Sequence, residues 1–355
     1  VPLASLFVHA TRRVPRLPPV YLLGPAFVAA IAYVDPGNVA ANVSAGSQFG
    51  FLLLWVIVVA NLMASLVQYL SAKLGLVTGM SLPEAVAQRA RRSTRLAYWT
   101  QAELVAMATD VAEVVGGAIA LYLLFGLPLL WGGVITGAVS LALLAIQNRR
   151  GQRAFERVIV GLLAVIAIGF LSSLFVDPPA ASDVASGLVP RFDGAESVLL
   201  ATAMLGATVM PHAVYLHSGL TRDRHGRPEP GAPRRRLLQA TRADVAVAML
   251  LAGAVNIAML LVAATHLQGR ENTDSIEGAY YAVRDTLGAG VALLFAIGLL
   301  ASGLASTSSF TTSTSPARSA IAEIVAPAAD GTLVSERPID DGSGWDGSWD
   351  LYHPE

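Results

Sequence analysis

Two short motifs set polar, metal-binding groups inside otherwise apolar sequence. Asp35-Pro36-Gly37-Asn38 interrupts one apolar stretch and Met210-Pro211-His212 interrupts another. Proline has no backbone N–H and clashes with the turn before it, and Gly37 adds backbone freedom, so both stretches should unwind. The side chains there are a carboxylate (Asp35), an amide oxygen (Asn38) and a thioether (Met210). Unwinding also frees carbonyls one turn earlier, at Ala32 and Ala207. Oxygen ligands alone would suit Mg²⁺, Ca²⁺ or Mn²⁺. A thioether is soft and adds little to a hard cation. The mixture therefore suits a borderline divalent transition ion such as Mn²⁺ or Fe²⁺. Taken singly, Met210 reads as a gap-filling core side chain and each proline as a simple kink.

A third group adds acids. Glu103, Asp110 and Glu113 fall in one apolar stretch. Asp110 and Glu113 are three apart and share a helix face, while Glu103 lies about two turns before Asp110. Acids at membrane depth default to ion pathways or proton relays, and the His212 imidazole exchanges protons near neutral pH. Asp35, Asp110, Glu113 and His212 are the candidates for a proton route. His217 and Glu103 are candidates for an inner exit path. The competing reading is an internal polar network that only joins helices. Asn61 and Gln68, seven apart, are weaker candidates and read as interhelical hydrogen-bonding groups.

The elements that position these groups must be membrane helices. The chain has 355 residues, 54% hydrophobic and 14% charged, with a mean hydropathy of +0.57. Eight stretches are long and apolar enough to be candidate spans, at about 20–45, 50–74, 96–124, 128–147, 157–176, 197–219, 243–266 and 289–305. Two amphipathic segments, Pro83–Arg92 and Ser275–Leu287, suit the membrane interface. Lys and Arg sort by loop. Nineteen fall on the N-terminus and even-numbered loops, against Arg191, Arg270 and Arg284 on the others. The positive-inside rule then puts the N-terminus in the cytoplasm. The arginines near the start are followed by Pro15, Pro18 and Pro19, and the apolar run after them continues as a full span, which argues against a cleavable signal.

Several function classes drop out. The sequence holds no cysteine, so no disulfide, thiolate metal site or thiol nucleophile is available. A net charge of −1 gives no overall field for nucleic acid. No phosphate-binding loop, GxSxG elbow or HExxH pair occurs, so an enzyme is not expected. The broken stretches begin five spans apart and so cross in opposite directions. That is the arrangement of a five-plus-five inverted repeat, where paired interrupted helices mark a transporter's substrate site.

Asp35-Pro36-Gly37-Asn38, Met210-Pro211-His212 and Thr109-Asp110-Val111-Ala112-Glu113-Val114 resemble the Nramp family of proton-coupled divalent metal transporters, in particular its bacterial Mn²⁺ importers. The resemblance covers about 17–305. It implies an all-α, leucine-transporter-like inverted repeat with discontinuous helices 1 and 6. It implies import of Mn²⁺ or Fe²⁺ with protons into the cytoplasm across a bacterial inner membrane. It makes Asp35, Asn38, Met210, Ala32 and Ala207 the metal ligands. Metal and proton are cargo, and no resident cofactor is expected. The expected partners are these ions and the lipid bilayer. Family members are similar through eleven or twelve helices, and the sequence from 306 departs from them. The expected division is a cytoplasmic segment over 1–19, a transporter core over 20–305 and a polar tail over 306–355, with the second repeat incomplete. A sodium-coupled organic solute carrier of the same fold is disfavoured, because Asp35 would repel a substrate carboxylate. A non-transporting membrane protein is the reading from a different class.

Overall fold

Prolines and glycines set where the helices start and stop. Pro25, Pro36, Pro83, Pro211 and Pro233 each fall in the first turn of a helix, where a missing N–H costs nothing. The computed structural model describes residues 24–150, 152–226, 228, 230–269 and 275–304. The order is α1 (Pro25–Ile31), a 3-10 turn (Ala32–Val34), α2 (Pro36–Phe49), α3 (Leu54–Thr78), α4 (Leu82–Arg89), α5 (Arg92–Phe125), α6 (Leu129–Arg150) and α7 (Gln152–Val176). Then follow α8 (Ala181–Gly187), α9 (Gly194–Thr208), α10 (Pro211–His225), α11 (Ala232–His266), α12 (Ile276–Leu287) and α13 (Ala289–Leu304). No strand occurs among the described residues.

Among the described residues, four helical stretches are long and apolar enough to cross a bilayer: Leu54–Thr78, Ser93–Phe125, Gly194–His225 and Ala232–His266. Pro25–Val34, Leu129–Ala142, Val160–Ser172 and Ala289–Leu304 are shorter apolar helical stretches. Two expected boundaries are corrected. The helix holding the acids starts at Arg92 rather than near 96, and α11 starts at Ala232 rather than near 243. Arginine is a good helix former, so the backbone stays helical beyond the apolar run. At 35 residues, α11 is about 52 Å long against a hydrocarbon core of about 30 Å. The short helix α8 had no counterpart in the sequence reading. The segment 1–19 and the tail 306–355 lie outside the described residues.

The core gathers around α11, which packs on α1, α2, α3 and α7. Its Ala248, Ala252, Val255, Ala258 and Ala263 are buried. The approach to α2 is close enough that a Cβ at Gly46 would collide with the Leu260 carbonyl and the Ala263 side chain. Outward, Leu62, Leu66, Leu104, Val111, Leu199 and Leu250 are each more than half exposed. So many exposed large apolar side chains are unusual on a soluble surface. Helical in all the regular structure of its described residues, with this apolar outer surface, the chain is a polytopic membrane protein.

Candidate functional site

The first break begins with the missing N–H of Pro36. A helical N–H bonds the carbonyl four residues back, so Pro36 leaves the Ala32 carbonyl without its helical donor, and α1 gives way to the 3-10 turn. Asp35 is extended (φ −68°, ψ 166°) and caps α2, its carboxylate accepting from the Asn38 backbone N–H at 2.8 Å. Distant helices satisfy the next two carbonyls. Asn256 on α11 donates to the Tyr33 carbonyl at 2.7 Å, and Ser302 on α13 donates to that of Val34. The Asn256 side-chain oxygen accepts from Asn42 on α2 at 2.9 Å. One side chain thus brackets the break from both sides.

The second break follows the same arithmetic. Pro211 deprives Ala207 of its helical donor. The α9 helix ends at Thr208, Val209 and Met210 leave the helical region, and α10 starts at Pro211 with no side-chain cap. Met210 and His212 are buried, at 5% and 6% exposure.

Asn38 joins the two breaks. Its amide nitrogen donates to Asp35 Oδ1 at 2.6 Å and to the Ala207 carbonyl at 2.9 Å. Its amide oxygen accepts from the Thr208 hydroxyl at 3.1 Å. The sequence reading had the Asn38 oxygen facing the site, whereas here the nitrogen does. The reason is electrostatic: two acceptor oxygens aimed at one point repel unless a donor stands between them. Asp35, Asn38 and Ala207 therefore meet, with Ala32 closing α1 three residues before Asp35 and Met210 opening α10 three residues after Ala207. The carbonyl ends of α1 and α9 both carry the negative end of a helix dipole, which favours a cation. Among the described residues no group of three or more His, Asp or Glu could hold a metal. A cation here would rest on one carboxylate plus neutral donors.

The acids of α5 are spread along the helix. A Cβ at Gly116 would strike the Pro36 ring, and one at Gly303 of α13 would come within 3.0 Å of the Glu113 carbonyl. Glu113, one turn from Gly116 and fully buried, lies on the face of α5 that meets the first break. Asp110 and Glu103 are half-buried. Glu103 lies furthest from the break, toward the arginine-bearing start of α5.

His217, expected on an inner exit path, is fully buried in this structure. Its Nδ1 meets Gln68 Oε1 at 2.7 Å, and Gln68 Nε2 donates to the Tyr33 hydroxyl at 2.8 Å. Because a carbonyl oxygen only accepts, Nδ1 carries the hydrogen of this pair. The chain ties α10 through α3 to the first break. Asn61 donates to the Met249 carbonyl of α11 at 3.2 Å, an interhelical bond as its sequence position suggested.

Asp244 was missed. Buried on α11, it accepts from the backbone N–H groups of Gly24 and Ala26, both at 3.1 Å, and so caps α1 from another helix. Gly24 has φ 149°, a conformation few side chains tolerate. Asp244 and Asn256 had a readable signal, since they are the strongly polar side chains within the apolar stretch 243–265 of α11. Thr208 and Ser302 had none, because hydroxyls are common in membrane helices.

Away from the breaks, α4 is bolted to the second half of α10. Ser81 and Glu84 form a capping box, the Leu82 N–H donates to the Ser218 hydroxyl at 2.9 Å, and Glu84 pairs with Arg222. Burial pushes the Glu84 carboxyl up, but hydrogen bonds from Arg222 and Ser81, with the Arg222 charge, outweigh it and hold it below its ordinary value.

Fold and site define a helical membrane protein with two broken helices meeting over a carboxylate. Residues 26–326 match the family model described as "Natural resistance-associated macrophage protein-like", Nramp, and the chain belongs to that family. It is 74% identical over 288 residues to the divalent metal cation transporter MntH of Mycobacterium tuberculosis, a match covering 81% of this chain and 67% of the relative. It is 45% identical over 307 residues to MntH of Klebsiella pneumoniae, covering 86% and 73%. Among solved structures it is similar to an Eremococcus coleocola manganese transporter in complex with an aromatic bis-isothiourea substituted compound, with a TM-score of 0.75 and 32% identity, covering 86% of this chain and 66% of that one. The chain thus spans about two thirds of the length of these matched proteins. The named relatives are transporters rather than enzymes.

Proposed function

We propose that this chain carries divalent transition-metal ions, Mn²⁺ or Fe²⁺, into the cytoplasm together with protons. The observation that carries this reading is the convergence of Asp35 Oδ1 and the Ala207 carbonyl, from two separate helix breaks, on one point. Asp35, Asn38, Met210 and the carbonyls of Ala32 and Ala207 supply the ligands. One carboxylate beside a thioether and neutral oxygens suits a borderline ion better than Ca²⁺ or Mg²⁺, which gain from several hard oxygens. Asp35, Asp110, Glu113 and His212 pass the proton. Glu113, on the α5 face that meets Pro36, is the acid nearest the metal point along that helix. The opposed breaks support a five-plus-five inverted repeat with discontinuous helices 1 and 6. The basic loop ends support a cytoplasmic N-terminus, and the bacterial relatives support a bacterial inner membrane. Both MntH relatives are named as divalent metal cation transporters, and the solved neighbour as a manganese transporter.

The test is Mn²⁺ uptake into proteoliposomes holding the chain, with Asp35→Ala beside it and Ca²⁺ and Mg²⁺ as competitors. Uptake that is lost in the variant and resists both competitors supports the reading. Absence of uptake, or uptake indifferent to Asp35, overturns it.

A further inference from the structure

We infer that Thr208, which is outside the proposed ligand set, is a positioning residue that lets the Asn38 amide turn over between two orientations, one facing Asp35 with nitrogen and one facing a cation with oxygen. This rests on the cation reading of the site. A cation at the meeting point of Asp35 Oδ1 and the Ala207 carbonyl replaces the donor that Asn38 now supplies, so the amide nitrogen has to leave and the oxygen has to take its place. Rotation carries the nitrogen to the side where the oxygen now sits, against Thr208.

A hydroxyl suits both orientations, because it is at once donor and acceptor. In the structure the Thr208 hydroxyl donates toward Asn38 Oδ1 at 3.1 Å, and a second acceptor, the Met204 carbonyl, lies 2.8 Å away. With the amide turned, Thr208 gives its hydrogen to Met204 and accepts from the Asn38 nitrogen. The amide thus keeps a partner on Thr208 in either orientation. Thr208 is 4% exposed, so water is a poor substitute, and an unpaired amide group there is costly. Without the hydroxyl the amide loses a partner in both orientations, but a buried N–H group left without an acceptor is tolerated less well than a carbonyl oxygen left without a donor, so the site is biased toward the orientation that shuts out the ion.

The experiment is Mn²⁺ titration of the purified chain by calorimetry. Thr208→Val keeps the shape and removes the hydroxyl, Thr208→Ser keeps the hydroxyl, and Thr208→Ala serves if the valine variant does not fold. Each is repeated in an Asn38→Ala background, and Asp35→Ala controls the site itself. The expected result is affinity lowered by about tenfold in Thr208→Val, the range seen when groups that orient a ligand are removed. Thr208→Ser stays near wild type, and Thr208→Val has no further effect once Asn38 is alanine. Equal losses in both backgrounds, or no loss while Asp35→Ala abolishes binding, overturn the role of Thr208. Binding that survives Asp35→Ala overturns the site reading instead.

Discussion

At the first break the carbonyls of Tyr33 and Val34 take hydrogen bonds from Asn256 on α11 and Ser302 on α13, while Asp35 caps the helix that follows. At the second, the freed Ala207 carbonyl takes its bond from Asn38, a residue of the first break, and α10 opens without a side-chain cap. One break is bracketed by the surrounding bundle, and the other hangs on its neighbour. From its first turn onward α10 is the reverse of its start. Ser71 donates to the Val214 carbonyl, a Cβ at Gly75 would press on the Ser218 carbonyl, and α4 is clamped to Ser218 and Arg222. The lesson is a division of labour. The first break fixes the position of the carboxylate. The second brings a carbonyl and a thioether beside a helix anchored along its length from its first turn onward.

The largest expected effect tests the bracket. Asn256→Ala leaves the Tyr33 carbonyl and the Asn42 amide nitrogen without their partner, and each buried orphan costs about 1–3 kcal/mol. Thermal unfolding in detergent should show a clear drop for Asn256→Ala. A smaller drop, of about half that size, is expected from Thr208→Val at the second break, which orphans only the Asn38 amide oxygen. Equal drops at the two breaks would erase the contrast.

A smaller effect separates chemistry from packing at the second break. Met210→Leu conserves volume and should cost under about 1.5 kcal/mol of stability. It removes the soft donor of the proposed ligand set, so preference for Mn²⁺ over Ca²⁺, read as a ratio of dissociation constants, should fall. Unchanged preference would return Met210 to the role of core filler.

The smallest effect lies at the clamp. Glu84 is partly exposed, so its pair with Arg222 should be worth at most about 1 kcal/mol. Its folded carboxyl is held below the ordinary value of 4.5. The stabilisation is therefore fully present above that value and is lost as pH falls through the lower, folded one. Thermal midpoints of wild type and Glu84→Gln should differ at neutral pH and converge in acid. A difference that persists in acid would mean the clamp acts through shape rather than charge.

Much of the site was legible because proline acts locally. Pro36 and Pro211 name the carbonyls they orphan by counting four back, so Ala32 and Ala207 followed from sequence alone. Asp35 and Asn38 could be read as polar groups at the break, whereas the capping bond between them came only with the structure. What could not be read is who answers from afar. Asn256 and Ser302 reach the first break across more than 200 residues of chain, and only packing decides which polar group in an apolar helix faces a break. The orientation of Asn38 was hidden for the same reason, since it depends on Thr208 and Ala207 on another helix. The helix starts at Arg92 and Ala232 were missed because hydropathy tracks the membrane, whereas helix propensity continues past it.

The central claim is that a transition-metal ion binds where the two breaks meet. Anomalous diffraction at the manganese edge from Mn²⁺-soaked crystals of the chain tests it most directly. The account predicts one strong peak in direct contact with the Asp35 carboxylate and the Ala207 carbonyl, absent from Asp35→Ala crystals. A peak elsewhere, or one that survives Asp35→Ala, would contradict it.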